Sequence, residues 1–182
     1  MKVRYFDHSA TTAVDKEVLE EMIPYFSESY GNPSSIYSIG KQNKEAINIA
    51  RMKVATALNS KVNEIYFTSC GSESDNMILK GIAFANKHLG NHIITSKIEH
   101  PAILNTCKKL EKFGFKVTYL NTDSKGRIDL KELERSINRN TILISIMMAN
   151  NEIGTIEPIY EIGNIAKKYG IYFHTDAVQA VR

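Results

Sequence analysis

Between residues 64 and 174, short β-rich runs alternate with helical stretches, and this restricts the fold more than any other feature of the sequence. The runs cover residues 65–68, 92–96, 115–120, 142–147 and 171–174, and the spacing predicts helices over 72–87, 101–113, 129–138 and 158–169. Antiparallel neighbours can be joined by a tight turn, whereas parallel neighbours need a long crossover, usually a helix. The alternation therefore predicts an α/β fold, a mainly parallel sheet with helices on both faces. Upstream, Asp15 is placed to cap a short helix with Val18, Leu19, Met22 and Phe26 on one face, and Pro24 is expected to distort its last turn. A longer helix begins near Ser38, its residues Ile47, Ala50, Val54, Ala57 and Leu58 stepping by three and four. Without repeats, low-complexity tracts or a linker, residues 1–182 read as one α/β segment. Within it, 1–20 form an N-terminal arm with the first helix and 21–182 form the body.

A 43% hydrophobic content supports a full core, which excludes disordered and disulfide-stapled classes. The 23 basic and 20 acidic residues are spread along the chain, arguing against nucleic acid or an anionic membrane as a partner. Lys108-Lys109 and Lys167-Lys168 fall late in predicted helices, where the helix dipole favours cations on a solvated face. With no apolar leader and no run of membrane-spanning length, the expected location is the cytoplasm. Cys70 and Cys107 lie outside any CxxC or Cys/His cluster and read as free thiols.

In parallel sheets ligands gather at the carboxyl ends of the strands, so the strand-end segments are the place to look for chemistry. The small-residue turn 68–74, with Gly71 and Ser72, leads from a strand into a helix and offers free N–H groups to a phosphate. The plainer reading is a helix cap with Ser72 or Ser74 as N-cap. Asp176 follows the apolar run Ile171-Tyr172-Phe173 and should lie near the buried edge, where a carboxylate needs a cation. A protonated cofactor ring nitrogen would serve, as would a lysine or a helix N-terminus. His100 precedes Pro101, the expected first residue of a helix, and could lie over an aromatic ligand, carry a proton, or simply be hydrogen-bonded there. Asn150-Asn151 could be turn chemistry alone. His8, His88, His92 and His174 lack metal-ligand spacing, so no metal site is expected, and no GxGxxG or Walker pattern occurs.

Six ordered motifs carry a resemblance over essentially the whole chain: YFDHSATT (5–12), GNPSS (31–35), TSCGSESDN (68–76), SKIEHPAIL (96–104), NNEIGT (150–155) and HTDAVQA (174–180). Together they resemble the pyridoxal-phosphate-dependent cysteine desulfurases of the class V aminotransferase group. The resemblance implies an incomplete large domain of the fold type I pyridoxal-phosphate enzymes, with 21–182 as a partial cofactor-binding domain. Residue by residue, it implies phosphate contacts at Gly71 and Ser72, ring stacking and proton transfer at His100, and Asn151 near the ring hydroxyl and substrate carboxylate. It further implies Asp176 as partner of the pyridinium nitrogen and Gln179 as a ring-oxygen donor. The implied substrate is L-cysteine, converted to alanine plus an enzyme-bound persulfide. The implied partners are a sulfur-acceptor protein, such as an iron–sulfur scaffold, and a second copy in a homodimer.

Three positions depart from the family pattern. Cys70 stands where glycine is usual, which matters only if that position needs a positive φ. Ser72 replaces a threonine but keeps the hydroxyl, and Tyr37 stands where a histidine is common. The family's cofactor-anchoring lysine and persulfide cysteine follow downstream of HTDAVQA and are absent from these 182 residues. The chain is therefore expected to be an amino-terminal portion that is inactive alone. The alternatives are another class V enzyme, such as a selenocysteine lyase or an aminotransferase, and a non-catalytic module from a truncated or split protein. By the family's strand order, the strand at 65–68 joins the sheet only through strands beyond residue 182, so it is expected to lack a native ladder partner here.

Overall fold

The computed structural model describes residues 3–180, and the chain divides into two compact units at Phe67/Thr68. In the first unit Asp15 caps α1 (Lys16–Met22) by accepting the Glu17 N–H at 2.9 Å. Pro24 has no N–H to continue that helix and instead opens a separate turn, α2 (Pro24–Ser27). In α3 (Ser38–Ala57) the buried Asn43 donates from Nδ2 to Ser29 O and Gly31 O, both at 2.6 Å, pinning the preceding loop to the helix. A 3-10 turn (Val62–Glu64) follows.

Ile65 has an extended backbone, with φ −94° and ψ 125°, but among the described residues 65–68 join no strand, which corrects the expectation of a first strand there. The Arg51 side chain occupies this segment instead: it donates to Ile65 O, and its guanidinium lies 4.7 Å from the centroid of the Phe67 ring.

The second unit runs α4 (Gly71–Ala85), β1 (His92–Ser96), α5 (Pro101–Glu111), β2 (Lys116–Leu120), α6 (Leu130–Ser136), β3 (Thr141–Ser145), α7 (Ile159–Tyr169) and β4 (Tyr172–His174). Its four strands are all parallel in the order β2-β1-β3-β4. The chain moves outward from β1 to β2, then crosses back to place β3 on the other side of β1. With right-handed crossovers, that reversal puts α5 on one face and α6 and α7 on the other. Two cores record the arrangement. Ile93 and Leu143 pack with Leu79, Ala83, Ile103, Cys107 and Leu110 on the face of α4 and α5. Ile94 and Ile144 pack with Leu120, Leu133, Ile162 and Ala166 on the other face. β1 and β3 are buried throughout, as central parallel strands must be, while β2 and β4 form the edges.

Boundaries shift from expectation for identifiable reasons. β3 ends at Ser145 rather than 147, because the Met147 N–H turns to the Glu99 carboxyl group instead of a neighbouring strand. α7 stops where Gly170 takes a left-handed conformation at φ 66°. Among the described residues no helix is long and apolar enough to cross a membrane, and no cluster of three or more His, Cys, Asp or Glu is arranged to hold a metal.

Candidate functional site

The reversal between β1 and β3 makes their carboxyl ends the switch point of the sheet, where open α/β sheets bind ligands. Segments 97–100 and 146–151 leave from these two strands, and 175–180 leaves from β4. α4 brings its amino end to the same edge, because Gly71 lies against Val178.

At the start of α4, Cys70 is the N-cap with φ −168°, an extended backbone that any residue adopts, so replacing the family's glycine introduces no strain. Cys70 O accepts the Glu73 and Ser74 N–H groups at 3.1 and 3.2 Å. Neither Ser72 nor Ser74 is the cap. The Ser74 hydroxyl bonds the Thr68 hydroxyl at 2.7 Å, and Glu73 reaches back to the Ser69 N–H and hydroxyl at 2.6 and 2.7 Å. Those two bonds hold the Glu73 carboxyl below its usual range and tie its charge to Ser69. Gly71 and Ser72 occupy the first two helical positions, whose N–H groups have no intrahelical acceptor. A Cβ on Gly71 would stand 2.8 Å from Val178 Cγ2, so the tight approach of the 175–180 turn requires a glycine.

Asp176 Oδ1 accepts the Val178 N–H at 3.0 Å, and among the described residues Asp176 forms no ion pair. Its negative charge is felt by three neighbours. Asp75, one turn into α4 and buried, is raised to about 6 by burial and then by Asp176, against the opposing influence of His100. Glu99 is raised to about 7, mainly by burial, with Asp176 and Glu157 adding to it. His174 is pushed down to about 4 by burial, opposed by Asp176, while its Nδ1 contacts Ser145 Oγ at 2.9 Å. His174 Nε2 lies 3.7 Å from Asp75 Oδ1, and with the acid raised to about 6 and the imidazole lowered to about 4 the neutral forms of both prevail between those values. Nearby Thr175 Oγ1 is buried and has no hydrogen-bond partner among the described residues.

His100 is the exposed N-cap of α5, with Nδ1 accepting the Ala102 N–H at 3.1 Å. The helix-start hydrogen bond is thus present, and it leaves the proton of the neutral ring on Nε2. Asn150 performs the turn chemistry of its pair: Oδ1 accepts the Glu152 and Ile153 N–H groups, and Nδ2 donates to Ile98 O at 2.8 Å. Asn151 follows, half-buried, and Gln179 lies exposed in the turn after β4. Direct contacts and felt charges link Gly71, His100 and Asp176 to one edge. Ser72 adjoins Gly71, while Asn151 and Gln179 lie on two of the loops leaving that edge.

Asp75, Glu99 and His174 were not picked out by sequence reasoning. Glu99 stands beside a chosen histidine in a chosen segment, but only the fold reveals its burial and its partner 48 positions away.

The Aminotransferase class-V family profile matches residues 4–182. Cysteine desulfurase IscS of Methanosarcina thermophila is 63% identical over 180 residues, 99% of this chain and 45% of the relative. Among solved structures, a NifS-like protein superposes with a TM-score of 0.94 at 47% identity, over 97% of this chain and 49% of its own. A structure titled SspA in complex with cysteine gives 0.94 at 46% identity, over 98% and 51%. The chain thus spans about half the length of the proteins it matches. A profile match over nearly every residue, with the strand-end segments gathered at one sheet edge, shows that the chain belongs to the aminotransferase class-V family.

Proposed function

We propose that this chain forms the cofactor-binding part of a pyridoxal-phosphate-dependent cysteine desulfurase, which takes sulfur from L-cysteine, leaves alanine and passes the sulfur on as a persulfide. The family and the names of its relatives support the reaction. One observation on this chain carries the site: the amides at the start of α4 and the carboxylate of Asp176 lie on either side of Val178, whose Cγ2 packs over Gly71 and whose N–H donates to Asp176 Oδ1. Amide donors suit a phosphate dianion, and a carboxylate without an ion-pair partner suits a ring cation. Pyridoxal phosphate carries both charges on one small frame.

In this reading the amides of Gly71 and Ser72 and the Ser72 hydroxyl bind the phosphate. The tie from Glu73 to Ser69 keeps a competing carboxylate engaged elsewhere. Asp176 accepts a hydrogen bond from the ring nitrogen and keeps it protonated, while Asn151 and Gln179 orient the ring oxygen. His100 covers the ring and, with Nδ1 committed to Ala102, presents Nε2–H as a donor. When bound, the cofactor supplies an electron sink for charge that develops on the substrate. The same reading takes residues 21–182 as part of the large domain, a sulfur-acceptor protein such as an iron–sulfur scaffold as partner, a homodimer as the working assembly and the cytoplasm as its compartment.

The test uses the two thiols. Cys70 is exposed beside the phosphate amides, whereas Cys107 is buried with its thiol pushed up to about 12, chiefly by burial. N-ethylmaleimide should therefore modify Cys70 alone. Pyridoxal phosphate at about ten times its Kd is expected to slow that modification about tenfold. Pyridoxal lacking the phosphate should protect far less, and equal rates with and without pyridoxal phosphate would remove the phosphate assignment. Alanine formation from L-cysteine by the full-length protein checks the substrate.

A further inference from the structure

At the switch point the fold places a buried acid that none of the roles above uses. Glu99 is 4% exposed and stands between the carboxyl ends of β1 and β3. The pairing of these strands ends at Thr95 and Ser145, and past that point the Glu99 side chain joins the two segments. Its Oε1 accepts the Ser96 hydroxyl at 2.6 Å and the Met147 N–H at 3.0 Å, and Oε2 shares that N–H at 3.1 Å. The Asn150 bond to Ile98 O is a second tie between the same segments. One joined segment ends in His100 and the other in Asn151.

A neutral acceptor would make such a tie without burying an acid, a costly choice in a sheet interior. The groups around Glu99 define what its proton does. Asp176 after β4 and Glu157 before α7 oppose its ionisation, the Ser96 hydroxyl and Met147 N–H favour it, and Cys107 on α5 feels its charge. Asp75 on α4 and His174 on β4 stand around the same Asp176. Ionised, Glu99 accepts two charge-assisted bonds and grips both strand ends; protonated, it accepts them more weakly.

We propose that Glu99 is a positioning residue whose carboxyl group, according to whether it carries a proton, tightens or loosens a clasp between β1 and β3 and thereby sets the place of His100 at the site. A cation held by Asp176 relieves the repulsion on Glu99 and favours the tight form, so cofactor binding and closure of the clasp are coupled. This consequence for binding rests on the cofactor reading above, whereas the clasp belongs to the ligand-free chain.

The test follows the amide resonances of Met147 and Ala102 in the ligand-free full chain from about pH 5 to pH 9. Met147 touches the Glu99 carboxyl group and Ala102 touches the His100 ring, and both amides are expected to share an inflection near pH 7. E99Q should abolish the inflection at Met147 and remove from Ala102 the component that it shares with Met147. S96A removes one donor at little change in volume and should move the inflection upward, which keeps the clasp testable if E99Q folds poorly. An unchanged Met147 titration in E99Q, or an inflection unmoved by S96A, overturns the clasp. A shared inflection missing from Ala102 overturns the link to His100. In E99Q the affinity for pyridoxal phosphate should fall about tenfold while protection of Cys70 by inorganic phosphate is unchanged. An unchanged pyridoxal phosphate affinity overturns the coupling. If the wild-type chain binds no pyridoxal phosphate yet Met147 and Ala102 titrate as described, the clasp stands and the cofactor reading falls.

Discussion

Gly71 owes its identity to the side chain above it. Its φ is not among the positive values in the chain, and what excludes a larger residue is Val178 Cγ2, on a side chain stiffened by branching at Cβ. G71A is expected to cost about 1–3 kcal/mol in urea unfolding and to displace the turn that holds Asp176. C70A should stay within about 0.5 kcal/mol of wild type, because the exposed Cys70 has ordinary backbone and no cap bond. His92 offers a second test at this scale. Its Nδ1 meets the Asn138 amide nitrogen at 3.0 Å and the Thr141 hydroxyl at 2.8 Å, and its Nε2 meets the Thr118 hydroxyl at 2.9 Å. Protonation would set ring N–H against the Asn138 N–H, and burial followed by Lys116 lowers the pKa. The sign follows: below its unfolded value of 6.5 the unfolded chain takes the proton first, so this group's stabilisation fades as the pH falls. The His92 ring resonance is expected to titrate below 6.5 by NMR.

Helices and strands differ in how much of them a sequence can show. A helix closes its own hydrogen bonds, so the caps at Asp15 and Asp129, Pro101 at a first position and Gly170 at a last are all legible as local chemistry. A strand is a relation between two segments. Residues 65–68 have β-forming side chains, yet among the described residues they join no ladder, and Arg51 takes the Ile65 carbonyl instead. R51A is therefore expected to speed hydrogen exchange across residues 65–67 while leaving β1 and β3 protected. The central position of β3 makes the opposite prediction for Leu143, which is fully buried among α4 and α5 residues: L143A should cost about 2–5 kcal/mol. The strand-end rule made the candidate site legible for the same reason, since it depends on connectivity. Glu99 and Asp75 were hidden because burial and remote partners, which no motif spells out, give them their character.

Across the whole molecule, acids and histidines pull the pH dependence in opposite directions. Asp75 and Glu99 rise to about 6 and about 7, so between their ordinary values and these the folded chain holds extra protons and loses stability as pH increases. His92 and His174 are lowered, and over the acidic range they make stability grow with pH. The histidines of the unfolded chain are still half protonated at pH 6.5 and oppose Glu99 there, so its contribution is read by difference: between 4.5 and about 7 the unfolding free energy of the wild type should decline with rising pH relative to that of E99Q. Urea melts at closely spaced pH values measure it.

Because every strand points the same way, the sheet has two unlike rims. The turns at the amino ends, around Asn91, Gly114, Arg139 and Gly170, carry none of the site residues, and the His92 network closes that end with bonds internal to the protein. Arg139 is exposed on this rim. In a C70A background, which removes the exposed thiol at the site, a biotin or fluorophore attached at R139C would therefore tether the molecule by its inert rim and leave the reactive one facing the solution, so that a sensor surface presents every copy the same way up.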